Sequence, residues 1–140
     1  MSLQGKCNCG AIRVTVSGSP QVNALCSCTS CRASTGSIFS VNLVVQSKDL
    51  TIDGEDNVTE YRDTNTDSGH TAVRRFCKTC GSPIETVVAE NPDTHFVKGG
   101  LFPPKSLPKP NVELFSRNWE EWQDKHHPDA KVLPGDVPAQ

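Results

Sequence analysis

Seven cysteines in three tight groups constrain this chain more than any other feature. Cys7 and Cys9 form C-x-C, Cys26, Cys28 and Cys31 form C-x-C-x-x-C, and Cys77 and Cys80 form C-x-x-C followed by Gly81. An odd count leaves one thiol over from any complete set of disulfides, and clusters at these spacings are the spacings of metal ligands. A C-x-x-C-G turn lets two thiolates reach one tetrahedral ion at about 2.3 Å, with the glycine allowing the backbone to turn back toward the sulfurs. A closed structural zinc site takes four ligands, and three protein ligands with one open position is the pattern of a reactive zinc. Seven cysteines therefore divide as four plus three. Spacing alone does not choose which C-x-C pair joins Cys77 and Cys80, but the middle triple already places three ligands in six residues and is the natural three-point holder. Cys7, Cys9, Cys77 and Cys80 are accordingly assigned to a closed site. Cys26, Cys28 and Cys31 are assigned to an open one, giving two Zn²⁺ per chain. The competing reading completes the second site structurally, with His70 or His95 as fourth ligand.

The rest of the composition agrees with a fold that leans on crosslinks. Of 140 residues 35% are hydrophobic and 6% aromatic, where ordinary globular chains carry roughly 45 to 50% apolar residues with glycine counted. A bound structural Zn²⁺ can contribute on the order of 10 kcal/mol to folding such a chain. The length fits one domain, expected over residues 1–134, with 135–140 a loosely ordered tail. Fourteen basic against sixteen acidic residues, and no basic run longer than Arg74-Arg75, exclude a phosphate-reading surface for nucleic acid. No apolar run approaches a membrane span and the start lacks a secretory pattern, so a cytoplasmic protein with no membrane partner is expected. The sequence carries no signal for oligomeric state.

Short alternating or β-branched segments predict strands at Ile12–Val16, Ser37–Val45, Leu50–Ile52, Val58–Arg62, Thr71–Phe76, Ile84–Ala89 and His95–Lys98. Turn-rich pieces separate them, at the spacing of a mostly-β layered domain. Cys28–Ser34 predicts a short helix. Ser116–Lys125 predicts another, with Ser116 as N-cap and Trp119 and Trp122 on one face as a lid on the core. The prolines from Leu101 onward (Pro103, Pro104, Pro108, Pro110) predict an extended linker. Leu133 to Gln140 is expected to be loosely ordered, Arg74 and Arg75 to be surface strand residues, and His126-His127 to sit in solvent.

Four stretches together resemble a known family. Gly5-Lys6-Cys7-Asn8-Cys9-Gly10-Ala11-Ile12, Cys26-Ser27-Cys28-Thr29-Ser30-Cys31-Arg32-Ala33-Ser34-Thr35-Gly36-Ser37, Arg75-Phe76-Cys77-Lys78-Thr79-Cys80-Gly81-Ser82 and Val97-Lys98-Gly99-Gly100-Leu101 look like the glutathione-dependent formaldehyde-activating enzymes, also called the centromere protein V/GFA domain. The resemblance implies a Mss4-like fold of small antiparallel β-sheets stapled by zinc, with few short helices. It implies the same division of cysteines, with Cys26, Cys28 and Cys31 at the zinc associated with the thiol substrate. The implied activity is condensation of glutathione with formaldehyde to S-(hydroxymethyl)glutathione, a carbon–sulfur lyase reaction. Ser27 departs from the family, which often has histidine there. Arg32 with Thr35, Gly36 and Ser37 follows the triple and could offer a cation and amides to an anionic thiol such as glutathione. The alternative is a non-enzymatic zinc-binding module for protein contacts, since fold does not fix function.

Overall fold

A computed structural model describes residues 2–20 and 22–137 of the chain. Strands β1 (Ser2–Lys6), β2 (Arg13–Ser17) and β5 (Leu50–Asp53) form a three-stranded antiparallel sheet in the order β1-β2-β5. The larger sheet has eight strands: β3 (Val22–Cys26), β4 (Ser40–Gln46), β6 (Val58–Asp63), β7 (Ala72–Cys77), β8 (Pro83–Val88), β9 (Asn91–Lys98), β10 (Val112–Leu114) and β11 (Lys131–Val132). Its order is β11-β10-β3-β4-β9-β8-β7-β6. The single α-helix among the described residues, α1 (Thr29–Thr35), follows β3. The fold is mostly β, as the sequence predicts, although one sheet is large and the pairs β3–β10 and β10–β11 are parallel.

Strand parity decides what each face of the large sheet carries, because successive side chains point to opposite sides. On β4, Leu43 and Val45 turn toward the small sheet, and on β9 so does Val97. There they pack with Val14 and Val16 of β2 and with Ile12, the residue just before that strand.

 

These six side chains are between 0% and 4% exposed. Burying each stabilises the fold by about 1.5–3 kcal/mol. The intervening residues Asn42, Phe96 and Lys98 point to the other face, where they meet Arg74 and Thr86 from β7 and β8.

Seven predicted strands are present with ends shifted by a few residues, and the predicted helix at Cys28–Ser34 is α1. The predicted helix over Ser116–Lys125 is absent. Only a 3₁₀ turn, Ser116–Asn118, forms, and its N-cap is Phe115, with no side-chain cap hydrogen bond. The amides of Phe115, Ser116 and Arg117 donate to Gly135, Leu133 and Pro134 O, and this pairing draws the backbone away from a helix. Trp122 is 75% exposed and is no lid on the core. The proline-rich stretch is irregular only as far as Asn111, since Val112–Leu114 enters the sheet beside β3. Those same hydrogen bonds tie down 133–135, and the expectation for 138–140 lies outside the described residues. His126 is not a free solvent residue: its Nδ1 lies 2.8 Å from the buried Glu113 Oε1 and its ring lies against Phe39. Among the described residues no helix is long and apolar enough to cross a membrane.

Candidate metal and thiol site

Cys7 and Cys9 follow β1, while Cys77 ends β7 and Cys80 lies in the turn to β8, so one cluster joins the small sheet to the large one. The four sulfurs lie within 4.8 Å of one another. Cys9 Sγ is 3.6 Å from both Cys7 Sγ and Cys77 Sγ, close to the edge of about 3.8 Å that a tetrahedron with 2.3 Å metal–sulfur bonds requires. Both turns are built alike. Gly10 N donates to Cys7 O at 3.0 Å and Gly81 N to Cys77 O at 2.8 Å, and each glycine has positive φ, 80° and 77°, a conformation that costs a side-chain-bearing residue more. Ile12 N donates toward Cys7 Sγ and Asn57 Nδ2 toward Cys77 Sγ. Ser82 Oγ accepts from Asn8 N at 3.1 Å and lies 3.2 Å from Cys80 Sγ, linking the two turns. Hydrogen bonds from the Ser82 hydroxyl and amide bring the Cys80 thiol down to about 5. These four residues can hold a metal ion.

The second cluster is more compact in sequence. Cys26 ends β3, Cys28 caps α1 with its Sγ accepting from Cys31 N at 3.3 Å, and Cys31 lies in the first turn. Their three sulfurs also lie within 4.8 Å of one another, and among the described residues no histidine joins them. Hydrogen bonds with Cys26 and Cys28 push the Cys31 thiol far below its ordinary range. Hydrogen bonds with Cys28 and Cys31, together with burial, push Cys26 far up. The three thiols are electrostatically linked, with Cys31 the one favoured as thiolate.

Two buried cations accompany that charge. Arg74 Nη1 lies 3.8 Å from Cys31 Sγ and its Nε donates to Asp63 Oδ2 at 3.1 Å. Lys98, 6% exposed, donates from Nζ to Asn42 Oδ1 at 2.7 Å. Burial lowers the Lys98 amine and the negative Cys31 opposes that shift. Both cations, the three cysteines and Thr86 line one cavity of about 130 Å³. The Thr86 hydroxyl is buried with no hydrogen-bond partner. Phe115 packs against the sulfurs in the left-handed conformation, φ 60°, a strained state for a bulky residue and one typical of functional sites.

The residues singled out from sequence separate here. Arg32 Nη2 pairs with Glu120 at 2.9 Å and Nη1 donates to Asn118 O. Thr35 Oγ1 donates to Cys31 O at 2.7 Å, Gly36 is the left-handed C-cap, and both Gly36 N and Ser37 N donate to Arg32 O. Thr35 also lines a groove of about 280 Å³ with Ser40 and Lys98. Ser27 is buried, with its amide on Leu114 O and its carbonyl on Asn118 Nδ2. His70 is on an exposed loop beside Glu90, and His95 is bonded to Glu85, away from the sulfurs. Arg74 is buried and not the surface strand residue expected from the sequence, and Lys98 had been given no role there. The available signal was parity: Arg74 and Lys98 share a sheet face with the triple, whereas Arg75 points to the other side.

The chain is similar to known proteins in family and fold. The family model described as glutathione-dependent formaldehyde-activating enzyme matches residues 2–118. A Halomonas elongata protein named "Putative glutathione-dependent formaldehyde-activating enzyme" is 26% identical over 125 residues, covering 87% of this chain and 80% of its own. A crystal structure of a Rhodobacter sphaeroides protein superposes with a TM-score of 0.58 at 24% identity, over 77% of this chain and 97% of that one.

Proposed function

Because the chain belongs to the glutathione-dependent formaldehyde-activating enzyme family, we propose that it is a zinc-dependent carbon–sulfur lyase acting in the synthetic direction, on glutathione or a similar small thiol. The thiol sulfur forms the C–S bond to formaldehyde, the carbonyl π pair moves to oxygen, and a proton equal to the one lost by the thiol ends on that oxygen. The product is S-(hydroxymethyl)glutathione. One observation carries this reading: a three-sulfur set shares a cavity with a buried lysine, a buried arginine and an unpartnered hydroxyl.

Cys7, Cys9, Cys77 and Cys80 would hold a structural zinc, and Cys26, Cys28 and Cys31 a second. When bound, that second ion supplies a position at which an incoming thiol loses its proton near neutral pH. Cys26, Cys28 and Cys31 as thiolates would sum with Zn²⁺ to −1, and a substrate thiolate beside them would bring the site to −2. Arg74, shared with Asp63, and Lys98 offset that charge where burial strengthens the interaction. An ammonium group has three donors, and Asn42 engages one of those on Lys98. The Lys98 amine and the Thr86 hydroxyl are thus placed to donate to the oxygen that gains charge as the C–S bond forms. The groove beyond Lys98, with Thr35 and Ser40 on its wall, has room for the rest of the thiol. Arg32, Gly36 and Ser37 set the end of α1 at that groove. A reducing cytoplasm is the compartment that suits free thiolates and this substrate.

The test is the rate at which S-(hydroxymethyl)glutathione appears, followed by NMR above the uncatalysed condensation. Zinc-loaded protein accelerates it, and Cys31→Ser removes the acceleration while the fold remains. No acceleration by protein carrying two zinc ions, or full activity in Cys31→Ser, would overturn the reading.

A further inference from the structure

A cavity of about 720 Å³ opens on the face of the large sheet away from the sulfur trio. Strand parity places Glu85, His95 and Arg75 on that face, and the thiol chemistry above uses none of them. Ser47, in the turn after β4, lies at the same cavity. Ser47 Oγ is 2.8 Å from His95 Nε2, and His95 Nδ1 is 2.5 Å from Glu85 Oε1. Glu85 Oε2 accepts from Arg75 Nε at 3.0 Å. The side chains of Glu85 and His95 are 2% and 17% exposed, while Ser47 is exposed.

This order of groups has a definite chemical consequence. A buried carboxylate at Nδ1 holds the imidazole with Nδ1 protonated, and the Nε2 lone pair then faces the serine hydroxyl. Ser47 Oγ also lies 3.3 Å from Asp93 O, so the hydroxyl proton has its shorter contact at the imidazole. Nucleophile, base and orienting carboxylate come from three separate elements and meet at one open cavity, as an activated serine requires.

We infer that Ser47, His95 and Glu85 form a second active site, an acyl-transfer centre that hydrolyses small esters. Ser47 Oγ bonds to the acyl carbon while its proton passes to His95 Nε2. The alcohol leaves with that proton as the ester C–O bond breaks. Water then repeats the sequence on the acyl-serine, releasing the carboxylic acid and restoring the hydroxyl. Glu55, Glu60 and Glu85 outnumber Arg62 and Arg75 on the cavity wall, so the site takes neutral or cationic esters and disfavours carboxylate-bearing ones. The acceleration is that of a positioned base, about 10²–10⁴-fold.

The test uses the zinc-loaded full chain and diisopropyl fluorophosphate, which transfers phosphorus to an activated serine with loss of fluoride. Peptide mass mapping is expected to find the label on Ser47. Labelling falls by about 100-fold or more in His95→Gln and disappears in Ser47→Ala. Ser47→Ala, a change at an exposed residue, also loses hydrolysis of p-nitrophenyl acetate attributable to the serine while keeping its zinc and its thiol–formaldehyde activity. If the contact only clamps the turn to β9, Ser47→Ala lowers the melting temperature and Ser47 takes no label. Absence of label on folded wild type, or equal labelling of folded His95→Gln, overturns the inference.

Discussion

The two sulfur clusters set the same side chain in contrasting surroundings. Cys7, Cys9, Cys77 and Cys80 come from distant parts of the chain, span two sheets, and have amides and a serine hydroxyl arranged around them. Cys26, Cys28 and Cys31 come from one strand–helix corner, so the sulfurs of the trio do not themselves bring distant segments together, and they face a cavity with two buried cations, one of which, Arg74, reaches Cys31 Sγ. On the proposed reading, four ligands that close a long loop would serve the fold, and three that close a short one would leave room for chemistry. The number of ligands and the length of chain between them would then separate a staple from a reactive centre.

The largest test of that contrast is loss of one ligand from each cluster. Cys77→Ser breaks a site whose ion is worth on the order of 10 kcal/mol, comparable to the whole 5–15 kcal/mol stability of a domain. It should leave protein that is unfolded by circular dichroism and carries little zinc. Cys31→Ser should keep the β-sheet spectrum and one zinc per chain while losing thiol activity. If the two variants melt alike, the division of roles is wrong. Metal removal sharpens the same point: a chelator titrated against the native protein, with released metal read by an indicator dye, should withdraw the ion of the short cluster first without loss of sheet structure. Unfolding coincident with the first equivalent released would break the comparison.

Lys98→Met carries the next effect. The substitution keeps the length of the side chain and removes the donor, so the fold and both metal sites should persist. The kcat/KM for the thiol and formaldehyde should fall about 10²-fold, the cost of losing one donor to a developing oxyanion. Metal analysis beside the kinetics decides the reading, because a variant that has lost its second zinc has lost the site and not the donor.

Much of this molecule was legible in its residues. The 4 + 3 division followed from counting ligands, and seven strands followed from alternation. What escaped had a common cause. β1, β3, β10 and β11 are short or lack clear alternation, and β10 is fixed by parallel pairing with a strand far away in sequence. The supposed helix at Ser116 had good local signals, yet its first amides found partners at 133–135, a tertiary choice that propensity cannot register. Arg74 looked like an ordinary surface charge and Lys98 had no role assigned, because burial depends on which face a strand turns inward. The sulfur pattern is local and announces itself, whereas the cations that complete the site arrive by sheet register.

A smaller effect separates the clusters by pH. Ser82 holds Cys80 at about 5, below the ordinary thiol value. A depressed folded-state value favours the fold above the unfolded thiol range, and that contribution is lost as pH falls through about 5. Ser82→Ala raises the folded-state value, so acid release of metal from the four-sulfur site should begin at a higher pH. The short cluster, which Ser82 does not touch, should release at its original pH. A common shift of both releases would mean that the clusters are coupled.

The smallest effect concerns Arg32, the cation closest in sequence to the reactive triple. Its guanidinium is bonded to Glu120 and to Asn118 O, with about a third of the side chain exposed. A pair so placed contributes about 0.2–1 kcal/mol. Arg32→Ala should therefore lower the melting temperature slightly and leave KM for glutathione within about twofold, since a ratio that small is worth only a few tenths of a kcal/mol. A tenfold rise in KM with an unchanged melting temperature would instead assign Arg32 to the substrate. Glu120→Ala separates the two outcomes: if Arg32 braces the end of α1, Glu120→Ala weakens the fold as much as Arg32→Ala does, and if Arg32 meets the thiol's carboxylates, removing Glu120 frees it and lowers KM.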